Sequence, residues 1–370
     1  MSIWIDSNAK LQTLCDQLSS CALLAVDTEF IRTDTFYPKI ALIQLSDGEH
    51  SWLIDVLAID DFSELKALLE SSHTTLIFHA CAEDLEVLDH SLNIQPTQIF
   101  DTQIAAGISN IGYCMGYGRL VEELLDIQLD KQETRSNWLA RPLSQRQLDY
   151  ATLDVVYLHP LHKILSQALD DQQRRDWFDE ETQNLFTLVE DRKNSQNYYR
   201  RIRGAWRLSA KSLTVLAALS RWRERVARNK DIPRSRIAKD AVLLEIARQL
   251  PSSKAPLFAI EDWPPTVVKR HADAVLKEVA TASQQTPVPA LPQPLSKRKA
   301  AIMKSIRNSL ASIAKDRQVP SEFLSNKKEL EDILRGTGQS DWQWPARLTE
   351  GWRRLWVKPA IEVALEKENL

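Results

Sequence analysis

The stretch ALLAVDTEFI, residues 22–31, runs apolar for five positions and then sets an acid, a threonine and a second acid in a row. Its first part, residues 22–28 (ALLAVDT), is a short run rich in Leu and Val that reads as a strand. Side chains two apart on a strand share a face, so Asp27 and Glu29 project together from the end of a segment that needs burial. Like charges held that close cost free energy unless something neutralises them, and a hard dication with oxygen ligands does so. On its own the pair is a weak signal, common at solvated strand ends.

Working outward, residues 40–46 (IALIQLS), 51–56 (SWLIDV) and 75–79 (TLIFH) read as further strands. The first two flank Asp47-Gly48, which predicts an antiparallel hairpin. Helical spacing covers 62–70, 82–92 and 145–168. The first half is thus a mixed α/β domain. Asp84 falls near the start of the second of these helices. Tyr150 and Asp154 stand at i and i+4 on the third, one turn apart on the same face. Tyr150 and Asp154 could therefore address one site together.

At 370 residues the chain exceeds one ordinary core and should hold two or three domains. A 44% hydrophobic content with 26% charged residues excludes a disordered or fibrous chain. No run reaches the roughly 18 apolar residues of a membrane span, and the first residues lack a leader pattern. A cytoplasmic protein with no membrane contact is the expectation. The four cysteines, Cys15, Cys21, Cys81 and Cys114, form no C-x-x-C pair and read as reduced thiols.

The net charge of −3 conceals an asymmetry: residues 1–195 hold 14 Lys+Arg against 32 Asp+Glu, whereas 196–370 hold 33 against 18. The halves are −18 and +15. A basic half of that size is the footprint expected for contact with a polyanion. After residue 195 the pattern is helical, and the Pro-rich stretch 286–294 (TPVPALPQP) divides it. Residues 221–247 lie over 308–334 at a constant offset of 87, with Pro233 on Pro320, Ile237 on Leu324, Leu243 on Leu330 and Ile246 on Ile333. This predicts two copies of one small helical domain.

The order D-x-E, helical Asp, Y-x-x-x-D resembles the DEDD superfamily of 3′–5′ exonucleases, in its tyrosine-bearing branch. The segments VDTEFIRTDTFYP (26–38), LIQLSDGEH (42–50), HACAEDLEVL (79–88), FDTQIAA (100–106) and WLARPLSQRQLDYATLDVVYLHPL (138–161) are similar to those of the ribonuclease D family. The helical repeat resembles the helicase-and-ribonuclease-D C-terminal domain, so the likeness covers the chain almost end to end. The second copy is the more divergent, Trp-rich over 341–356, and Asn137 stands where the family pattern leads one to expect an acid.

The resemblance implies an α/β plus all-α chain: a ribonuclease H-like mixed-sheet exonuclease domain over 1–195, then small helical-bundle domains over 209–285 and 295–370. It implies that Asp27, Glu29, Asp84 and Asp154 are metal ligands for two divalent ions, Mg²⁺ or Mn²⁺, and that Tyr150 orients the attacking water. With an ordinary pKa near 10, Tyr150 stays protonated at neutral pH, so basicity must come from the metal. Asp101 reads as a helix cap or support, not a fifth ligand. Phe30, Lys131 and Trp138 are candidate substrate contacts, with core packing the competing reading for both aromatics. The implied reaction is 3′–5′ hydrolysis of RNA with a free 3′ end, tRNA precursors and other small structured RNAs among its substrates, releasing nucleoside 5′-monophosphates. A monomer without an obligate protein partner is expected. A DNA-directed 3′–5′ exonuclease and a non-catalytic nucleic-acid-binding scaffold are the alternatives, and a complete carboxylate set argues against the second.

Overall fold

The computed structural model describes residues 2–129, 136–193, 196–336 and 343–367. Two compact units form. One comprises Met1–Ile31, Pro38–Val189 and Leu295–Leu370; the other comprises Arg32–Tyr37 and Glu190–Pro294.

All four expected strands are present: β2 (Leu23–Ile31), β3 (Lys39–Ser46), β4 (Ser51–Asp55) and β5 (Thr75–Phe78). Two three-residue strands join them, β1 (Ile3–Ile5) and β6 (Ile99–Asp101). The sheet order is β1-β4-β3-β2-β5-β6. β3 is antiparallel to both β2 and β4, and the remaining pairs are parallel. The hairpin closes as Asp47–Gly48 predicts: Gly48 takes φ 97°, and the Asp47 carboxylate accepts from the Glu49 and His50 amides.

Both faces of the sheet are covered, which is why β3 is apolar along most of its length and not alternating. On one side lie α1 (Asn8–Leu18), α2 (Ser63–Leu69) and α3 (Ala82–Leu92), where Leu11, Leu14, Leu65 and Leu88 pack on Leu24, Val26, Ile43 and Phe78. On the other lie α4 (Thr102–Ile108), α5 (Tyr117–Leu125), α6 (Gln145–Val156) and α7 (Leu158–Asp171). There Ala105, Leu120, Val155 and Leu161 pack on Ala25 and Ile77. The single helix expected over 145–168 is thus two, with a break at Tyr157.

α8 (Arg175–Lys193) follows, and the second helical copy belongs to this same unit. Its helices are α14 (Lys297–Asp316), α15 (Ser321–Leu324), α16 (Lys327–Gly336), α17 (Ala346–Thr349) and α18 (Val357–Glu366). Ile302, Ile306, Leu310, Ile333 and Ile361 share one cluster with Ala105, Leu165 and Phe178. Trp352 stacks on Trp177 at 4.4 Å. Arg353, fully buried, pairs with both Glu180 and Glu181. Arg174 donates to the carbonyls of Ile108, Arg317 and Gln318.

The other unit holds α9 (Ala210–Lys230), α10 (Arg234–Ile237), α11 (Asp240–Gln249), α12 (Lys254–Phe258) and α13 (Pro265–Ala282) around Leu216, Leu219, Leu243, Ile246 and Val275. Phe36 completes this core, and Asp231 accepts from the Phe36 and Tyr37 amides. The repeat is visible helix by helix: α14, α15 and α16 each begin 87 residues after α9, α10 and α11. Pro233 and Pro320 stand at the same N-cap. Residues 286–294 carry no regular structure.

Candidate active site

β2 carries Asp27 and Glu29 to the sheet face covered by α6. Asp27 lies opposite Gln44 and Glu29 opposite Leu42, and a bulge follows between Glu29 and Phe30. Bulges of this kind re-aim side chains beside active sites. α6 brings Asp154 down onto the pair: one oxygen from each of Asp27, Glu29 and Asp154 lies within 4.8 Å of the others. A capping box at Ser144 and Gln147 fixes where that helix begins.

Asp84 comes from the first turn of α3 and is buried. Its Oδ1 accepts from the Thr28 hydroxyl, the residue between the two β2 acids. What sets α3 there is Asp101, which accepts from the amides of Ala80 and Cys81 ahead of α3 and of Gln103 and Ile104 at the start of α4. Ala80 sits at φ 61°, a strained turn that these bonds hold in place. The cap reading of Asp101 is what its contacts display.

Tyr150, one turn before Asp154, hydrogen-bonds its carboxylate. Behind it stands Trp138, 6.0 Å between ring centroids. Trp138 is only 2% exposed, packed with Leu42, Leu53 and Ala151, so it offers no free face to a nucleotide and instead walls in Tyr150. Phe30 lies against the α1–α3 cluster and keeps part of its ring exposed. Lys131 lies outside the described residues.

Two neighbours were not legible as site residues. The Tyr117 phenol occupies the gap in the α6–α7 ladder: it donates to the Leu153 carbonyl at 2.8 Å and accepts from the Tyr157 amide at 3.3 Å. In an unbroken helix those two backbone groups would bond each other, so the inserted hydroxyl produces the break just past Asp154. Gln44, across from Asp27, is wholly buried, and neither amide atom has a partner. A glutamine amid the apolar run ALIQLS was the one sequence signal for it.

Electrostatics explain what the site lacks. Burial, then repulsion from Asp84, Asp154 and Glu29, pushes the Asp27 carboxyl well above the usual range. Burial, then Asp154 and Asp84, pushes Glu29 up to about 9. Burial raises Asp154 to about 7, against the Tyr150 hydrogen bond that lowers it. Burial raises Asp84 to about 6, against the Thr28 hydrogen bond. Tyr150 is also pushed up, by burial and then by Asp154, so it stays protonated. Among the described residues no Lys or Arg pairs with these four acids. Four uncompensated carboxylates, three of them with converging oxygens, fit hard divalent cations.

Each raised carboxyl binds its proton more tightly folded than unfolded, so without metal the protein loses stability as pH rises from about 4. For Glu29 the loss runs to about 9. Thermal melts in chelator should fall across this window and flatten in Glu29→Gln. Mg²⁺ titration at pH 7 should release protons, read as a heat that depends on the buffer's ionisation enthalpy.

A family model described as a 3′–5′ exonuclease matches residues 2–170, and one described as the HRDC domain matches residues 212–279. A ribonuclease D of Pseudomonas paraeruginosa is 37% identical over 98% of this chain and 97% of its own. That of Escherichia coli is 32% identical over 98% of each. The crystal structure of Escherichia coli ribonuclease D, described as an exoribonuclease involved in structured RNA processing, superposes with a TM-score of 0.87 at 31% identity, covering 99% of both chains. Identity at this level along the full length of both chains, on one shared fold, makes this chain a member of the ribonuclease D family, metal-dependent 3′–5′ exoribonucleases.

Proposed function

We propose that the chain shortens tRNA precursors and other small structured RNAs from their 3′ ends, releasing nucleoside 5′-monophosphates, with two ions of Mg²⁺ or Mn²⁺ in its site. The observation that carries this is the convergence of Asp27, Glu29 and Asp154, with Asp84 close enough to repel Asp27 and no cation among them. Asp27, Glu29 and Asp154 would hold one ion, and Asp27 with Asp84 the other. When bound, the metals supply a nucleophile active at neutral pH and stabilise the departing 3′ oxygen.

The chain's own groups then have separate tasks. Tyr150 stays protonated and donates to Asp154, which leaves the phenol oxygen to accept from the attacking water and orient it. Thr28 holds Asp84, and Asp101 fixes the helix that carries it. Phe30, partly exposed and next in sequence to Glu29, is proposed to pack on the terminal nucleotide. The catalytic module is assigned to 1–195, and the helical modules to 209–285 and 295–370. The protein is proposed to act as a cytoplasmic monomer; among the described residues no helix is long and apolar enough to cross a membrane.

Tyr117→Phe should let Leu153 and Tyr157 bond each other or leave both unpaired, in either case moving Asp154. Partners behind a metal ligand are typically worth about 10–100-fold in activity or metal affinity. The expected result is a kcat loss of that size with KM for RNA little changed. Steady-state kinetics of the variant check it, and a wild-type kcat would remove Tyr117 from this role.

The substrate reading is tested by incubating a 3′-extended tRNA precursor, its mature form and a DNA strand of the same 3′ sequence with the protein and Mg²⁺. Rapid removal of the extension as 5′-monophosphates, slowing at the mature end and slow on DNA, is expected. Preference for the DNA strand would establish the DNA-directed alternative.

A further inference from the structure

The stretch 192–223 carries nine Lys and Arg and no Asp or Glu. Its described part begins before α9, and most of it, up to residue 211, lies outside both matched segments. Two short 3₁₀ turns, Tyr198–Arg201 and Ala205–Arg207, are linked through Gly204 at φ 87°. Tyr199, Ile202 and Ala205 are buried in the core of their unit at every third position. That spacing matches the three-residue turn of a 3₁₀ helix, so one edge is anchored and the others face out. The outward residues are Arg200, Arg201, Arg203 and Arg207, with Lys211 in the first turn of α9, all five exposed.

None of these five forms an ion pair among the described residues. Four exposed cations elsewhere in the same unit are paired, Arg225 with Glu278, Arg236 with Asp34, Lys239 with Asp262 and Lys254 with Asp273, whereas this run sets five exposed cations within twelve residues and no acid among them. Arg207 lies over the half-buried Trp206 ring at 4.9 Å, so its guanidinium is held by the ring face and its N–H groups remain available.

We propose that Arg200, Arg201, Arg203, Arg207 and Lys211 form a phosphate-binding surface for the RNA substrate, separate from the carboxylate site. The inference rests on the RNA reading above. The row holds five cations, so it neutralises at most five phosphates. Arginine predominates, and its planar fork matches phosphate bidentately. Contacts to phosphate oxygens carry no sequence information, so a surface used in this way grips RNA without regard to sequence. It would give the acidic catalytic half a means of retaining a polyanion between successive cleavages.

The test uses the full chain carrying Arg200→Gln, Arg201→Gln, Arg203→Gln and Arg207→Gln. A control carries Arg225→Gln, Arg236→Gln, Lys239→Gln and Lys254→Gln, which removes as much charge from paired positions. Binding of a 3′-extended tRNA is measured in chelator from 50 to 200 mM salt, beside cleavage of a pentaribonucleotide with Mg²⁺. Each lost phosphate contact lowers the salt slope by about 0.7–0.9. The patch variant should lose about 3 from the slope and about 10–100-fold in tRNA affinity, with pentamer kcat/KM within twofold of wild type. The control should stay near wild type in slope. Equal slopes for wild type and patch variant overturn the proposal, as does an equal fall in the control, which makes the effect one of net charge. Loss of binding to phosphatidylserine vesicles with the RNA slope unchanged overturns it in favour of a membrane surface. If wild type fails to cleave the pentamer or the tRNA, the RNA-trimming reading fails instead.

Discussion

Asp27→Asn should abolish measurable RNA shortening while raising the melting temperature of the metal-free protein. Asp27 is pushed well above the usual carboxylate range, by burial first and then by Asp84, Asp154 and Glu29, so folding without metal favours uptake of a proton there. The amide needs none, and the stability gain grows with pH. Each kcal/mol gained should raise the melting temperature of a chain this size by about 1–2 °C. The same substitution removes the ligand both ions are proposed to share. Metal stabilisation of transition-state charge amounts to several kcal/mol, and about 1.4 kcal/mol is a factor of ten, so a loss of about 10³–10⁴ in kcat is expected. Mg²⁺ should raise the melting temperature of wild type and not of the variant. Differential scanning calorimetry with and without Mg²⁺, beside cleavage assays, checks both halves. A variant that melts lower without metal would contradict the electrostatic account.

Arg353→Met should have the largest effect on stability. The guanidinium is fully buried, bonded to Glu180, Glu181 and the Phe323 carbonyl. Removing one partner of a buried pair costs about 3–5 kcal/mol because the other charge is left unpaired. Here Glu180 loses its cation and Glu181 keeps only Arg347, at 3.6 Å. Adding Glu180→Gln and Glu181→Gln to Arg353→Met should recover a good part of the loss, since no unpaired charge remains. Urea denaturation of the single and triple variants measures this. A loss under about 1 kcal/mol in the single variant would mean that water reaches the site and screens the pair.

What the sequence disclosed followed from local signals. β2 to β5 were readable as apolar runs, and the D-x-E and Y-x-x-x-D spacings placed side chains on common faces before any fold was known. β1 and β6, three residues each, are too short for a period to show. The break between α6 and α7 carries neither proline nor glycine; its cause is Tyr117, 40 residues earlier in the chain. Thr28 and Gln44 act through tertiary neighbours that no spacing reveals. Trp138 was legible as an aromatic beside the site, but its burial depends on α6 packing across β3 and β4. The repeat showed the two helical copies as alike. That the second shares the exonuclease core follows from Trp352 and Arg353, in the Trp-rich segment where the copies diverge.

The most direct measurement of the carboxylate site is digestion of a 3′-extended tRNA labelled at its 5′ end, by wild type and by Asp27→Asn, with Mg²⁺, with Mn²⁺ and with chelator. Stepwise shortening by wild type with metal, none with chelator and none by the variant, is the result predicted. Equal shortening by both proteins, or tight binding with no cleavage under any metal condition, would contradict it.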